Sequence, residues 1–215
     1  MSQEISEQEN LVYKVIQDYL KKRRPIVVNQ LVPYIVSRLS KQSVDINSRK
    51  VKSIVELFIQ KKIIIEGSRL TRDDILKNKT RKEINEFINK NSAVYFHQIM
   101  KYLDLPTHSV IWHLNLLFLF GFIKKTKIEK HYNHYIYYKT EINSLQAKKI
   151  YFTKNNKCKD IIEYLRNKNG GCSKTELSKQ LGMHPNTIRK YIGALEAIKV
   201  VFKKSISNKS LYYLN

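Results

Sequence analysis

The chain has 215 residues, 42% hydrophobic and 27% charged, a composition that excludes a chain disordered throughout. Its 40 Lys and Arg residues outnumber 18 Asp and Glu residues, which gives a net charge of +22 and a pI near 9.9. Such a balance is typical of nucleic-acid-binding proteins, because basic side chains neutralise phosphates and release counterions. Charge alone leaves RNA, an anionic membrane surface and an acidic protein open as partners.

The sequence carries no marker of a membrane span, a metal site or an enzyme. No apolar run reaches the ~18 residues of a spanning helix, and the polar, acidic first ten residues differ from a secretory signal, so we expect a cytoplasmic protein. Cys158 and Cys172 lack metal-binding spacing and are expected to be reduced, buried or semi-buried thiols. The sequence has no Gly-rich phosphate loop and no Gly-x-Ser-x-Gly motif, and His108 and His113 lie five residues apart, the wrong spacing for metal ligands on one helical face. We therefore expect no catalysis, no metal and no cofactor.

The apolar spacing predicts a mainly α fold with small β-hairpin wings, an α+β class built from tandem winged helix-turn-helix units. One plan, three helices followed by a short strand pair, repeats along the chain. The N-terminal unit is predicted over residues 1–75. Its helices are expected near 9–22, 28–41 and 47–62, with a cramped strand pair at 63–70.

The central unit is predicted over residues 76–141, followed by a linker over 142–156 for which helical structure stays open. Its third helix is expected to end at Gly121, because Gly adopts the left-handed C′ conformation without penalty. Its segments are helices at 81–90, 96–103 and 110–120, and wing strands at 122–128 and 134–140.

The C-terminal unit, residues 157–215, has the clearest pattern. Ser173 and Glu176 have capping-box spacing at the start of a short second helix. Pro185 suits the first turn of the third helix, where its missing N–H costs nothing. That helix is expected to point Ile188, Ile192 and Leu195 inward, and two β-prone runs after it predict a hairpin wing.

A characteristic set of residues runs from the central third helix into its wing: Val110, His113, Leu114, Leu117, Gly121, Phe122 and Ile123. In these residues the central unit resembles the ArsR/MarR-like winged-helix regulators of archaea. Residues 172–202 fit the same pattern more loosely, because Lys199 occupies the position that corresponds to Gly121. The resemblance implies the winged-helix fold and DNA-binding transcriptional regulation. Many ArsR-type members sense metals through paired cysteines near the third helix, and this central unit has none there.

Electrostatics favours the C-terminal unit as the main DNA contact. The net charge is +5 over residues 1–75, +6 over 76–142 and +11 over 143–215. The exposed start of a recognition helix supplies base contacts, where Arg pairs with guanine and Asn with adenine. The candidates there are Asn186, Thr187, Arg189 and Lys190, with Ser173, Lys174, Lys203, Lys204 and Lys209 as backbone or phosphate contacts. For any one of these residues taken alone, the alternative to DNA contact is a place on an ordinary solvated helix face or charged hairpin.

Secondary phosphate contacts are predicted at two further basic groups, although such runs are often simply solvated. They are Arg49, Lys50 and Lys52 at the start of the first unit's third helix, and Lys124, Lys125 and Lys127 in the central wing.

The central third helix is apolar almost all round, which is typical of a buried helix. Packing against a neighbouring unit of the same chain and a homodimer interface are the two explanations. The candidate interface residues are Trp112, Leu116, Phe118 and Leu119.

A transcriptional regulator that reads duplex DNA is therefore the leading hypothesis. A nucleoid-associated protein with little sequence preference is a close alternative. The two differ only in the ratio of affinity for a specific DNA site to affinity for random DNA. A third alternative is an assembly subunit with protein partners, because tandem winged helices also resemble subunits of the ESCRT-II complex and of RNA polymerase machinery.

Overall fold

The computed structural model describes residues 6–128, 134–168, 170–206 and 209–215. The fold is mainly α-helical with small antiparallel sheets, as the sequence predicts. The helices are α1 (Glu7–Lys21), α2 (Val28–Ser40), α3 (Ser48–Gln60), α4 (Arg72–Ile75), α5 (Lys79–Asn91), α6 (Phe96–Leu103), α7 (Thr107–Leu119), α8 (Ser144–Thr153), α9 (Asn156–Asn167), α10 (Lys174–Gln180) and α11 (Pro185–Ala197). The strands are β1 (Val94–Tyr95), β2 (Ile123–Ile128), β3 (His134–Lys139), β4 (Val201–Ile206) and β5 (Lys209–Leu214).

The chain divides into two compact units. Unit 1 comprises Met1–Glu86 and Leu105–Phe122, and unit 2 comprises Phe87–Asp104 and Ile123–Asn215. The boundaries predicted at residues 75, 141 and 156 stay predictions. Among the described residues, no helix combines the length and apolar character needed to cross a bilayer.

Unit 1 is built around the amphipathic helices α1, α2 and α3. A capping box between Ser6 and Glu9 starts α1, and the Asn47 side chain caps α3. Their apolar faces form one core with Ile26 and Ile64. Where the sequence predicts a strand pair at 63–70, the described residues form a single antiparallel bridge between Ile64 and Thr71. The strand pair is absent there because the backbone of the intervening turn, at Gly67 and Ser68, hydrogen-bonds to Ile26 instead.

The described residues of unit 2 form two hairpins. In the first sheet, β3 lies between β1 and β2, with Ile123 opposite Lys139 and Ile128 opposite His134. In the second, β4 pairs with β5, with Val201 opposite Leu214. Each hairpin follows a third helix, which is the order of a winged helix.

One hydrophobic core, formed by described residues, connects the parts of unit 2. It includes Ile136 and Tyr138 from β3, Phe152 from α8, and the inward residues of α9, α10 and α11. Helix α8 lies within the predicted linker and is anchored by a 3.1 Å hydrogen bond between His134 Nε2 and the Tyr151 hydroxyl. Cys158 and Cys172 are buried in the same core, and burial raises the pKa of the Cys158 thiol to about 12.

The three third helices, α3, α7 and α11, end in the same Schellman motif. In each, the residue two beyond the helix end has positive φ: 57° at Lys62, 71° at Gly121 and 56° at Lys199. The following N–H bonds back five residues, as between Val200 N and Leu195 O at 2.9 Å. Each third helix therefore ends in the same backbone turn, although Gly121 alone of these three residues is a Gly, the residue that this conformation favours.

Candidate nucleic-acid interface

Helix α11 has the stable start and buried face that a recognition helix needs. His184 is its N-cap, and the His184 Nδ1 atom accepts a 3.2 Å hydrogen bond from the Asn186 N–H. Pro185 occupies the first turn, as predicted. The predicted inward residues Ile188, Ile192 and Leu195 are fully buried. Packing therefore fixes which side of α11 faces solvent.

The solvent-facing side of α11 holds the candidate base-reading residues. Asn186 and Arg189 are exposed, whereas Thr187 and Lys190 are half-buried at the edges of this face. Gly193, one further turn along, has open space where a Cβ would stand, and Glu196 follows it on the same side. The N-terminal half of the face is therefore cationic and the C-terminal end is acidic, which limits attraction for phosphates to the first two turns.

The start of α10 lies close to the wing in unit 2. The Ser173 hydroxyl accepts a 3.1 Å hydrogen bond from the Glu176 N–H, so the predicted cap is confirmed. The reciprocal half of the capping box is absent, because the Glu176 carboxylate pairs with Lys168 instead. Lys174 is half-buried, with its ammonium group 5.1 Å from the Tyr212 ring centroid. Lys174 is thus held against β5.

The β4–β5 wing presents its lysines on two different faces. Lys203 lies opposite Tyr212, on the face that also carries the buried Val201. Because side chains alternate along a strand, Lys204 lies on the other face, and Lys209, opposite Ile206, shares that face. All three lysines are exposed.

Aromatic rings support one of these faces. Phe202 and Tyr213 stack with centroids 5.4 Å apart, and the Lys204 ammonium group lies 5.5 Å and 5.3 Å from their centroids. Cation–π attraction of this kind holds the lysine in place while its charge stays accessible to solvent.

The nine candidate DNA contacts all lie in unit 2, on elements that pack together: α10 on α11 and β5, and α11 on β4. The sequence-based prediction missed His184 as the helix cap and Gly193 on the outward face. The Pro at N1 and the interior Gly were the signals for these two positions.

The secondary candidates fall in both units. In unit 1, Arg49, Lys50 and Lys52 are exposed at the start of α3, and Lys52 lies 3.8 Å from the Glu56 carboxylate. In unit 2, β2 carries the other three. Lys124 donates a 2.6 Å hydrogen bond to the Thr140 carbonyl, Lys125 lies 5.2 Å from the Tyr135 ring centroid, and Lys127 is exposed.

Helix α7 buries one face and leaves apolar side chains on the other. Val110, Leu114 and Leu117 are buried, as expected of an inward face. Of the candidate interface residues, Trp112 is 54% exposed and Leu119 46% exposed, while Leu116 and Phe118 are half-buried. Ile111, which the prediction missed, is also exposed.

Two comparisons with known proteins bear on this geometry. Residues 157–201 match the family model described as winged helix-turn-helix DNA-binding. The chain is also similar to an uncharacterized HTH-type transcriptional regulator of Methanocaldococcus jannaschii, with 30% identity over 161 residues. That alignment covers 75% of this chain and 39% of the relative, so the chain spans about two fifths of that protein's length. Helix order, hairpin and family match together identify the C-terminal part of unit 2 as a winged helix-turn-helix.

Proposed function

We propose that this chain is a transcriptional regulator that binds duplex DNA through its C-terminal winged helix-turn-helix. The observation that carries the proposal is the exposed pair Asn186 and Arg189 on the first turns of α11, in the part of the chain with half of the net positive charge. The family match over 157–201 and the regulator name of the archaeal relative support it. Action at DNA implies a cytoplasmic, nucleoid-associated location.

In this proposal the N-terminal half of α11 enters the major groove. Arg189 donates to guanine and Asn186 pairs with adenine, while Thr187 and Lys190 contact the groove edges. The phosphate contacts come from the start of α10 and from the wing, through Ser173, Lys174, Lys203, Lys204 and Lys209. Phosphate contacts at Lys124, Lys125 and Lys127, and at Arg49, Lys50 and Lys52, add affinity without adding sequence preference.

The DNA proposal is tested by fluorescence anisotropy with a labelled random-sequence duplex at several salt concentrations. Affinity should fall steeply as salt rises. Replacing both Arg189 and Lys190 with Ala should weaken binding about tenfold or more and reduce the salt slope by about 1–2. The matched control replaces Lys159 and Arg166, exposed residues of α9, and removes the same charge from the same unit.

The proposal would be contradicted if the chain did not bind DNA near physiological salt, or if the α9 control lost as much DNA affinity as the α11 variant. Selection from a random duplex pool then separates the two DNA-binding alternatives. An enriched motif marks a sequence-specific regulator, whereas binding without a motif marks the nucleoid-associated alternative.

We further propose that α7 forms a homodimer contact. Trp112, Leu119 and their neighbours present an exposed apolar surface, and Trp is enriched in interface cores. A second copy would set the spacing of two recognition helices on a two-fold symmetric site. Sedimentation should show a dimer that Leu119→Glu converts to monomer. Ile206→Glu, at an exposed apolar residue of the wing, should leave the mass unchanged.

A further inference from the structure

The sheet formed by β1, β3 and β2 in unit 2 has two chemically different faces. Side chains alternate along a strand, and residues directly opposite each other share a face. Ile128, Ile136 and Tyr138 lie on one face and belong to the hydrophobic core of unit 2. The opposite face therefore carries the alternate side chains of β2 and β3.

This opposite face combines lysines with tyrosines. Lys125 lies opposite Tyr137, and Lys127 lies opposite Tyr135. These four residues form the Tyr135 face. Tyr135 is 45% exposed and Lys127 is exposed, while Lys125 and Tyr137 are half-buried. Ile123, at the start of β2, is buried on the same side, so the accessible part of the face begins at Lys125.

The charge of the sheet has one sign. Its three strands contain four lysines and no Asp or Glu. Lysines on β2, an edge strand, hinder pairing with a foreign strand. That role does not account for Tyr135 and Tyr137, which lie on the central strand β3. A polyanion that also carries flat rings would match both the lysines and the tyrosines of this face.

The contact between Lys125 and Tyr135 shows how closely charge and ring adjoin. The Lys125 ammonium group lies 5.2 Å from the Tyr135 ring centroid. Attraction to the ring holds the cation beside it. Because Tyr135 nevertheless stays 45% exposed, its ring remains open to a planar group from solvent. A ligand on this ring would thus have a positive charge next to it.

The spacing of the two rings favours a single strand over a duplex. Tyr135 and Tyr137 are two residues apart on β3, which corresponds to about 6.8 Å at the rise of an antiparallel strand. Successive nucleotides of a duplex strand are only about 3.4 Å apart along the helix axis. Rings at twice this distance suit bases that are spread apart, as in an extended single strand.

We propose that the Tyr135 face binds single-stranded DNA, with bases stacked on Tyr135 and Tyr137 and phosphates beside Lys125 and Lys127. Proteins hold single strands in this way, with aromatic rings under the bases and basic side chains along the backbone. The assignment to DNA rests on the proposed function, because the match to DNA-binding winged helices lies in the same unit. The contact itself uses no residue of α11.

Fluorescence anisotropy of the full chain with a labelled oligodeoxyuridylate about 15 nucleotides long tests the proposal. An abasic oligomer of the same length has the same phosphates but no bases, so it should bind at least about fivefold more weakly. Equal affinity for the two oligomers would overturn the proposal, because charge alone would then explain the binding. Tighter binding of an oligouridylate of the same length would overturn the assignment to DNA.

A pair of variants at the exposed ring tests stacking. Tyr135→Leu should weaken binding of the oligodeoxyuridylate about 5–100-fold through the loss of one stacked base. Tyr135→Phe keeps the ring and should bind like the original chain. An unchanged melting temperature would confirm that both variants fold. Unchanged affinity in Tyr135→Leu, or an equal loss in Tyr135→Phe, would overturn the proposal.

A second pair tests the phosphate contact. Lys127→Gln should weaken single-strand binding and lower its salt slope by about 0.7, the value expected for one phosphate. Lys159→Gln removes the same charge from an exposed position of α9 in the same unit and should leave single-strand affinity unchanged. Equal losses in these two variants would contradict a contact on the Tyr135 face.

Binding of a random-sequence duplex separates this inference from the proposal for α11. Tyr135→Leu should leave duplex affinity unchanged, whereas replacing both Arg189 and Lys190 with Ala should weaken duplex binding more than single-strand binding. If the duplex is not bound but Tyr135→Leu still weakens single-strand binding, the proposed function fails and the single-strand contact stands. If Tyr135→Leu weakens binding of both to the same extent, a separate single-strand site is ruled out.

Discussion

The ring of Tyr213 lies directly over Gly171, where the backbone has a φ of +70°. A Cβ at this position would overlap the ring, because the nearest atoms are its Cζ, Cε1 and Cε2. Gly171→Ala should therefore lower the free energy of unfolding by about 1–2 kcal/mol for the left-handed conformation and by about 1–3 kcal/mol for overpacking. Urea denaturation measures the loss.

A double-mutant cycle separates these two causes. In the Tyr213→Ala background the overlap is absent, so Gly171→Ala should there cost only the backbone contribution. An equal cost in both backgrounds would show that the ring is not the obstacle.

Lys199 has the left-handed conformation that Gly121 has at the corresponding helix end. Lys199→Gly should raise the free energy of unfolding by about 0.5–1 kcal/mol, because it relieves strain at φ 56° but gives up some unfolded-state entropy. Lys199→Ala is the matched control, since it removes the same charge and keeps the Cβ. Thermal unfolding that ranks Ala at or above Gly would contradict the assignment.

Gly193 lies inside α11 on the outward face, with no atom within 4 Å of a Cβ. Gly193→Ala should stabilise the fold by about 1 kcal/mol, because Gly is a poor helix residue. If α11 enters the major groove, the added methyl group should nonetheless weaken DNA binding, measured by anisotropy. Gly170→Ala, also in open space but outside α11, should leave the affinity unchanged. Unchanged DNA affinity in Gly193→Ala would indicate that the DNA does not contact this part of α11.

His113 should make stability depend on pH. It is 7% exposed, and Nδ1 has no hydrogen-bond partner among the described residues. Burial, and then the positive charge of Arg81, lower the pKa of His113 below its usual 6.5. Below pH 6.5 the unfolded chain takes up a proton that the folded chain resists, so the free energy of unfolding should fall as pH falls.

Denaturation of the original chain and of His113→Leu, at pH values on both sides of 6.5, measures this contribution. The variant should show a shallower decline in acid. Equal slopes would mean that His113 titrates alike in the folded and unfolded states.

Helix positions could be predicted from the sequence because their signals are local. The buried faces of α9 and α11 follow from apolar spacing alone, and Pro185 marks a helix start by its own chemistry. The prediction of a mainly α fold with hairpin wings is confirmed for the same reason. The choice of contact residues on α11 stays a prediction, although the inward face that constrains it is confirmed.

Contacts between distant residues could not be predicted in this way. Glu176 has the spacing of a capping box, yet its carboxylate pairs with Lys168, which only the fold brings near. A groove in unit 1, lined by Arg81 and Trp112, likewise depends on α7 and on the turn at 65–70, which are far apart in sequence. Periodicity assigns each residue to a face, but it does not say which other face will meet it.

The shared core of unit 2 has a consequence for any long polyanion that touches both hairpins. Because α8 packs between β2–β3 and the C-terminal helices, residues 142–156 do not behave as a flexible tether. The lysines of β2 and the outward face of α11 then belong to one packed body with a footprint of fixed length. Once the polyanion contacts either the lysines of β2 or the outward face of α11, contact with the other surface requires no ordering of a flexible loop. An insertion in α8 would disrupt the core rather than increase the distance between these two surfaces.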